Sequence, residues 1–207
     1  DLAPEKFPTL IITADTAFKK SETADYSVLC VAGMDTNGDM YIVDIIRGRW
    51  DFPELKARMI RLNNNWRGKG LRAVYIEDKA SGQSLIQELK RESGISVIPY
   101  KVVNDKVARV NAILPIIEGG RVLLPDQSEW LDEFIDESVS FPNGNHDDQV
   151  DAVTMAIDIM SRTSISPEAW TLHSDPGQSL NNQKQDFGKS LMKTVGKATS
   201  KWAGWGL

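Results

Sequence analysis

The sequence has one cysteine, no long apolar run and no signal-like start, and each absence excludes a class of protein. Cys30 lies in an apolar stretch and has no partner for an internal disulfide, which favours a reducing compartment and a core position. No apolar run approaches the roughly 18 residues that a membrane-spanning helix needs. The start, DLAPEKFPTL, has neither the basic end nor the apolar middle of a secretory signal peptide. We therefore expect an intracellular globular protein without a membrane partner.

Positive charge is missing from one long stretch. No Lys or Arg stands between Arg121 and Arg162, while ten Asp and Glu do, and the net charge of the chain is −5. From Arg162 to the end, six basic residues stand against three acidic ones. An acidic body argues against non-specific nucleic-acid binding by the whole surface, but it does not exclude a local groove.

Apolar runs and turn signals in the first half predict a mixed α/β fold. LIITAD, 10–15, ends on an acid and is typical of a buried strand. Two further strand-like runs flank Asn37 and Gly38, a pair that favours a tight hairpin. Helices and strands then alternate: a helix at 53–66, a strand in RAVYIED, a helix stopped by Gly94 and a strand in ISVIPY. This order predicts a mixed sheet with antiparallel first strands, flanked by helices.

The second half is predicted to be mainly helical. A helix at 104–118 is expected to be capped by Asn104 and ended by Gly119 and Gly120. A short strand or turn in RVLLP, an acidic helix near 128–138 and a helix from 146 to about 160 follow. After Arg162 the sequence is rich in Ser, Pro, Asn and Gln, which is typical of a linker. We therefore divide the chain into a domain, 1–162, and a polar linker with a possible amphipathic tail, 163–207.

The stretch NGNHDDQVDA, 143–152, carries Asp147, Asp148 and Asp151 on one face of the predicted last helix. Crowded carboxylates repel one another unless a positive charge lies between them. Asp147 or Asp148 fits a helix cap, whereas Asp151 lies past the first turn. Further acids end two predicted strands: Asp15 ends the first, and Glu77 and Asp78 end the fourth. If these ends meet, their oxygen ligands suit Mg²⁺ or Mn²⁺, and two such ions together support phosphodiester hydrolysis.

Four segments in order resemble one known family. They are IITADTAFKKSETADYSVLCV, VYIEDKASGQSLIQELK, KVARVNAILPIIEGGRVLLP and FPNGNHDDQVDAVTMAI. Together they resemble the nuclease domain of tailed-phage terminase large subunits, over roughly residues 8–161. The resemblance implies a ribonuclease-H-like fold and a metal-dependent endonuclease that cuts concatemeric double-stranded viral DNA during packaging, with two Mg²⁺ or Mn²⁺ ions.

The resemblance also implies site residues. Asp15 matches the family's first-strand aspartate, and Glu77 is preferred over Asp78 for the second acid. The third acid is Asp148 or Asp151, and both are candidates for metal binding. Asp147 is interpreted as a cap or a supporting residue, and His146 as a local hydrogen-bonding residue.

Three basic residues near the acids are candidates for DNA binding: Lys79, Lys106 and Arg109. Lys106 and Arg109 share a predicted helix face and are placed to contact backbone phosphates. The alternative, that each is an ordinary solvated side chain, is left open.

One part of a complete terminase is not found. GKS, 188–190, has Gln183 where a phosphate-binding loop needs glycine, so no ATPase motif is recognised. We expect a separated nuclease domain acting in the host cytoplasm, with double-stranded DNA, the phage portal and the ATPase domain of the same terminase as partners. The alternatives are a junction-resolvase or integrase-type nuclease, and a packaging-motor docking module whose acids are not catalytic.

The tail carries a further pattern with two interpretations. A helix there would present an apolar face opposite Lys189, Lys193, Lys197 and Lys201. Such a segment either folds on a partner, with the portal or DNA as candidates, or is a disordered tail with accidental spacing. The apolar face consists of Phe187, Leu191, Val195, Ala198, Trp202 and Trp205.

Overall fold

A computed structural model describes residues 6–17, 25–92, 94–164 and 186–194 of the chain. In this part of the chain, six strands form one mixed sheet in the order β5-β4-β1-β2-β3-β6. The mixed sheet predicted from the sequence is confirmed. The strands are β1 (Thr9–Asp15), β2 (Ser27–Met34), β3 (Met40–Gly48), β4 (Leu71–Glu77), β5 (Val97–Tyr100) and β6 (Val122–Leu123).

The strand directions decide which ends meet. β1 and β2 are antiparallel, as are β2 and β3, whereas β4 is parallel to both β1 and β5. The β2–β3 turn contains Gly38 at φ 80°, a left-handed conformation that glycine adopts without strain. The ends of β1, β4 and β5 therefore lie at one edge of the sheet, together with the start of β2.

Helices cover both faces of the sheet. The helices α1 (Phe52–Arg67) and α2 (Ala80–Glu92) share a core with Leu10 and Ile12 of β1. On the other face, Ile11 belongs to a second core that includes residues of four helices. Because side chains alternate along a strand, odd-numbered residues of β1 point to this second face. Its helices are α3 (Lys106–Glu118), α4 (Leu131–Ser140), α5 (Asp148–Ser164) and α6 (Asp186–Met192).

Three predicted helix starts differ from the structure. The predicted cap Asn104 is wrong: Asp105 is extended (φ −62°, ψ 162°) and its side chain accepts a hydrogen bond from the Ala108 amide at 2.9 Å. Asp105 rather than Asn104 caps α3 because its carboxylate reaches the amide of the third helical residue, which needs a hydrogen-bond acceptor. α4 begins at Leu131 rather than near 128, and α5 begins at Asp148 rather than at 146.

α6 packs against the second core. Phe187 and Leu191 are buried in the second core, and the Phe187 ring lies 6.3 Å from that of Phe141. Gly188 permits this approach, since a Cβ there would lie 2.5 Å from the Val139 Cα. The other apolar tail positions, Val195, Ala198, Trp202 and Trp205, lie outside the described residues, as do 165–185. The division at residue 162 therefore stays a prediction.

The described helices also bear on membrane insertion. None of them combines the length and the apolar character needed to cross a bilayer.

Candidate active site at the carboxyl edge of the sheet

β1 and β4 place two acids side by side. The two strands run parallel, with Thr13 opposite Tyr75 and Ala14 opposite Ile76, so Asp15 and Glu77 follow one step beyond the last pair. Alternation puts both carboxylates on the α5 side of the sheet. The Thr13 hydroxyl donates to the Ala152 carbonyl oxygen at 2.8 Å, which fixes α5 over β1.

α5 brings a third acid to the same place. Because α5 begins at Asp148, Asp151 lies in its first turn rather than past it as predicted. Asp151 is 5% exposed, and its charge acts on Asp15. Two cations from α3 hold its carboxylate: Arg109 Nη2 lies 2.9 Å from Oδ1, and Lys106 Nζ lies 2.9 Å from Oδ2. Lys106 also lies 2.6 Å from Asp147 Oδ1. Asp15, Glu77 and Asp151 therefore converge from three separate elements.

Lys79 links the two strand-end acids. Its Nζ lies 2.9 Å from Glu77 Oε2 and forms a short ion pair with Asp15 Oδ1. The Asp15 side chain is 6% exposed, whereas that of Lys79 is 41% exposed. A cation thus lies between two carboxylates, where the repulsion between like charges is greatest.

The ionisation of these groups reflects burial as well as charge. Burial raises the pKa of Asp15 to about 7; Lys79 opposes this shift, and Glu77 and Asp151 add to it. Burial lowers the pKa of Lys79, but Asp15 and Glu77 outweigh it and the net shift is upward. The pKa of Lys106 also rises, since its hydrogen bonds to Asp147 and Asp151 outweigh burial. Asp15 therefore needs nearby positive charge to stay ionised at neutral pH.

The structure separates the remaining candidate acids from this group. Asp78 accepts a hydrogen bond from Gln83 Nε2 of α2 at 3.1 Å. Asp148 lies beside Glu137, and burial, with the charge of Glu137, raises its pKa. His146 Nδ1 is 3.9 Å from Asp148 Oδ2. Asp148 and Asp151 thus belong to two different clusters, although three positions separate them in the sequence.

The capping residue of α5 was not found by sequence reasoning. Glu137 Oε1 accepts hydrogen bonds from the Gln149 and Val150 amides at 2.7 and 3.0 Å, and Oε2 accepts one from Gln149 Nε2 at 2.9 Å. These amides are the ones that a local cap would bind. Glu137 comes from α4, and it is only 7% exposed. A glutamate in an acidic helix gives no sequence signal for this role.

An aromatic–cation stack lies near the start of α5 and was also missed. The guanidinium groups of Arg47 and Arg49 lie over the Tyr26 ring, at 3.8 and 3.9 Å from its centroid. His146 meets the same ring edge-on at 5.1 Å. Arg47 Nη2 lies 3.8 Å from Glu137 Oε2, so the stack adjoins the α5 cap.

The donor set fits a divalent metal. Among the described residues, no three acidic, histidine or cysteine side chains are already arranged as a metal-binding group. The groups that converge, from Asp15, Glu77 and Asp151, are nonetheless all carboxylates, whose oxygens Mg²⁺ and Mn²⁺ prefer. In addition, the Lys79 ammonium occupies the position between Asp15 and Glu77 that a bound cation would take. The site is therefore built to attract positive charge.

A mixed sheet with three antiparallel leading strands and acids at the ends of β1 and β4 defines a ribonuclease-H-like nuclease domain. The sequence matches the terminase RNaseH-like domain family over residues 12–159. The match spans most of the chain, which therefore belongs to this family. The protein is an endonuclease of the ribonuclease-H-like superfamily.

Solved structures with a similar fold include Holliday junction resolvases. The fowlpox virus resolvase has a TM-score of 0.46 and 12% identity, covering 74% of this chain and 99% of its own. The yeast mitochondrial resolvase Ydc2 has a TM-score of 0.46 and 14% identity, covering 77% and 81%. RuvC of T. thermophilus, in complex with a Holliday junction, has a TM-score of 0.44 and 12% identity, covering 74% and 96%. No curated protein matches the sequence.

Proposed function

We propose that this endonuclease cuts concatemeric double-stranded viral DNA during genome packaging, by hydrolysis that depends on two Mg²⁺ or Mn²⁺ ions. The observation that carries the proposal is the convergence of Asp15, Glu77 and Asp151 from β1, β4 and α5. Membership of the terminase family supports the packaging role. In that setting the host cytoplasm is the proposed site of action, with the portal and a terminase ATPase domain as partners.

Asp15, Glu77 and Asp151 are proposed to hold the metal ions. When bound, divalent cations activate water and stabilise the negative charge that develops on the phosphate oxygens. Asp151 is preferred over Asp148 because it lies next to Asp15, whereas Asp148 lies next to Glu137. Asp78 is given no ligand role, because its carboxylate is bound to Gln83.

The three basic residues divide into two roles. Lys79 and Lys106 have side chains 41% and 47% exposed, and their long flexible stems allow the ammonium groups to turn from the acids to DNA phosphates. Arg109 is only 10% exposed and forms a hydrogen bond to Asp151. We therefore propose that Arg109 orients Asp151, while Lys79 and Lys106 bind the DNA backbone.

The test is plasmid cutting by the purified chain in Mn²⁺, in Mg²⁺ and in EDTA. Asp15→Asn and Asp151→Asn are expected to lose about 100-fold or more of the activity, because each removes a charged ligand that positions the ions. Asp136→Asn, an exposed acid on α4, is the matched control and should cut like the wild type.

The outcomes separate the alternatives. Full activity in Asp15→Asn would contradict the metal-dependent site, and full activity in Asp151→Asn with loss in Asp148→Asn would transfer the ligand role to Asp148. A strong preference for four-way junctions over linear duplex would indicate a resolvase. No cutting with either metal would indicate a docking module.

A further inference from the structure

A cleft of about 520 Å³ opens beside the candidate active site. It lies between the ends of β4 and β5 and the second half of α5. We call it the Tyr100 cleft. The residues that matter for its chemistry are Tyr75, Tyr100, Lys101, Val103, Asp158 and Arg162.

The Tyr100 cleft lies on the same face of the sheet as the acids. Tyr100 lies opposite Glu77 in the β4–β5 register, and Tyr75 precedes Glu77 by two residues, so both point to the same face of the sheet. Asp158 follows Asp151 on α5 by seven residues, which is about 10 Å along a helix. A DNA strand that followed α5 from the acids would therefore reach the cleft.

The walls of the cleft combine aromatic rings with cations. The Tyr100 hydroxyl donates to Asp158 Oδ2 at 2.8 Å, and Arg162 binds the same carboxylate at 3.0 and 2.8 Å. The positive charge of Arg162 therefore offsets the negative charge of Asp158. Arg162 remains 67% exposed, and Lys101 is exposed at the same mouth. The cleft thus carries a net positive charge beside two tyrosines, within an acidic body.

The size of the cleft limits what it holds. A volume of about 520 Å³ is that of a small-molecule site, which spans roughly 300–1,000 Å³. It suits one unstacked nucleotide and is too small for a duplex. Proteins bind single strands through aromatic rings that stack on bases and cations that contact phosphates, and the Tyr100 cleft offers both.

We propose that the Tyr100 cleft binds an unpaired nucleotide of the DNA strand next to the scissile phosphate. The base packs against Tyr100 and Tyr75, and the phosphate lies between Lys101 and Arg162. The inference rests on the proposed nuclease function, and it adds that the substrate strand is locally single-stranded at the site.

The first experiment measures binding in EDTA, where no cutting occurs. The probe is a fluorescent single-stranded 12-mer, followed by anisotropy at several salt concentrations. Lys101→Gln and Arg162→Gln are each expected to weaken binding by about 3- to 10-fold and to lower the salt slope by about 0.7. Lys90→Gln, an exposed lysine of α2 on the opposite face, is the control and should bind like the wild type.

Two variants of Tyr100 separate stacking from hydrogen bonding. Tyr100→Phe keeps the ring and should retain binding, whereas Tyr100→Leu should lose about 10-fold, within the range for loss of one stacked base. Equal loss in both variants would contradict a stacking role. Unchanged binding in Lys101→Gln and Arg162→Gln would overturn the proposal even if Tyr100→Leu failed to fold.

The second experiment locates the strand by crosslinking. Cys30 is fully buried, so a cysteine introduced by Val103→Cys, at a position 88% exposed, can be labelled selectively with a photoreactive group. The label should crosslink to a single-stranded 12-mer and to duplex with a single-stranded end. The control is Gln127→Cys, in the exposed loop after β6, which is the outermost strand on the side of the sheet opposite β5. A label at this position should not crosslink to either DNA. Equal crosslinking from both positions, or to blunt duplex, would overturn the proposal.

Different results would contradict the nuclease proposal and the cleft proposal. If wild-type protein does not cut plasmid with Mn²⁺, the nuclease proposal fails whatever the binding result. If it cuts but the cleft variants bind single strands normally, the cleft proposal alone fails.

Discussion

Asp15 and Asp151 belong to one candidate site but have different electrostatic surroundings. Asp15 is buried, and its pKa rises to about 7 despite the ion pair with Lys79. Asp151 is held by two cations, Arg109 and Lys106. Removing the charge of Asp15 should stabilise the protein, because a buried carboxylate is unfavourable. Removing the charge of Asp151 should destabilise it, because the buried Arg109 then loses its partner.

Asp15→Asn should therefore stabilise the metal-free protein. A folded-state pKa raised from 3.8 to about 7 means that the folded protein binds the proton more tightly. The wild type then loses stability as the pH rises from about 4 to 7, while the variant does not. The free energy of unfolding of the variant should exceed that of the wild type by roughly 4 kcal/mol at pH 8 and by less at pH 5. Melting in EDTA at both pH values measures it, and a smaller gain at pH 8 than at pH 5 would contradict this prediction.

Asp151→Asn should have the opposite effect. Arg109 is only 10% exposed. Removing the partner of a buried cation typically lowers the free energy of unfolding by about 3 kcal/mol, and by less where the cation reaches water. Asp147→Asn is the control, because Lys106 keeps Asp151 as a partner and is 47% exposed. Urea unfolding in EDTA would compare the two; equal stability would show that Arg109 finds another partner.

At the scale of elements, α5 depends on a cap from another helix. Glu137 of α4 accepts the first free amides of α5, and Thr13 of β1 binds the Ala152 carbonyl. The first contact fixes where α5 begins and the second fixes its position over the sheet. Together they decide which face of α5 meets Asp15.

Glu137→Gln should destabilise the fold and reduce cutting. The substitution removes a negative charge from a helix N-terminus and weakens hydrogen bonds to two amides, which together are worth about 1–2 kcal/mol. Glu133→Gln is the matched control, since Glu133 is 62% exposed and pairs with Arg47 rather than with the α5 amides. The two proteins would be compared by thermal melting and plasmid cutting. Similar Tm values in both variants would contradict the cap.

At the scale of the whole molecule, the candidate site draws cations into an acidic protein. The net charge is −5, and the three basic residues nearest the acids are already paired with them. Crowded carboxylates were expected to repel one another without metal, and the structure shows that Lys79, Lys106 and Arg109 reduce this repulsion. Under the proposed function, metal ions would compete with these cations for the carboxylates, and DNA phosphates would compete with the carboxylates for the cations.

Mn²⁺ should raise the Tm of the wild type. Ions that bind only the folded protein stabilise it by mass action, by about 2.7 kcal/mol at a hundred times the Kd. Asp15→Asn and Asp151→Asn, which lack a proposed ligand, should respond much less. Thermal melting with and without Mn²⁺ provides the measurement, and an equal shift in all three proteins would indicate binding elsewhere.

Duplex DNA should bind weakly and lose affinity as salt is added. Affinity for duplex depends on the number of phosphates that cations neutralise, and residues 122–161 contain no Lys or Arg. Anisotropy with a blunt duplex between about 50 and 200 mM salt would measure the slope. Tight binding that is insensitive to salt would point to base-specific contacts instead.

The sequence alone determined the strand and helix order and the acids at the strand ends. Hydrophobic periodicity, the Asn37 and Gly38 turn and the Gly94 stop are local signals, so β1, β4 and most helices followed from neighbouring residues. Asp15 and Glu77 were candidates for the same reason, since each ends a strand. Helix starts were less certain, because adjacent residues such as Asn104 and Asp105 compete as caps.

Only the tertiary structure decided which acids meet. Asp148 and Asp151 lie close together on the helical wheel, and the docking of α5 on β1 sets which of them lies next to Asp15. The pairing of Lys79 with two strand ends, and the capping of α5 by Glu137, join different elements. No local pattern encodes such contacts, because they depend on packing between segments distant in the sequence.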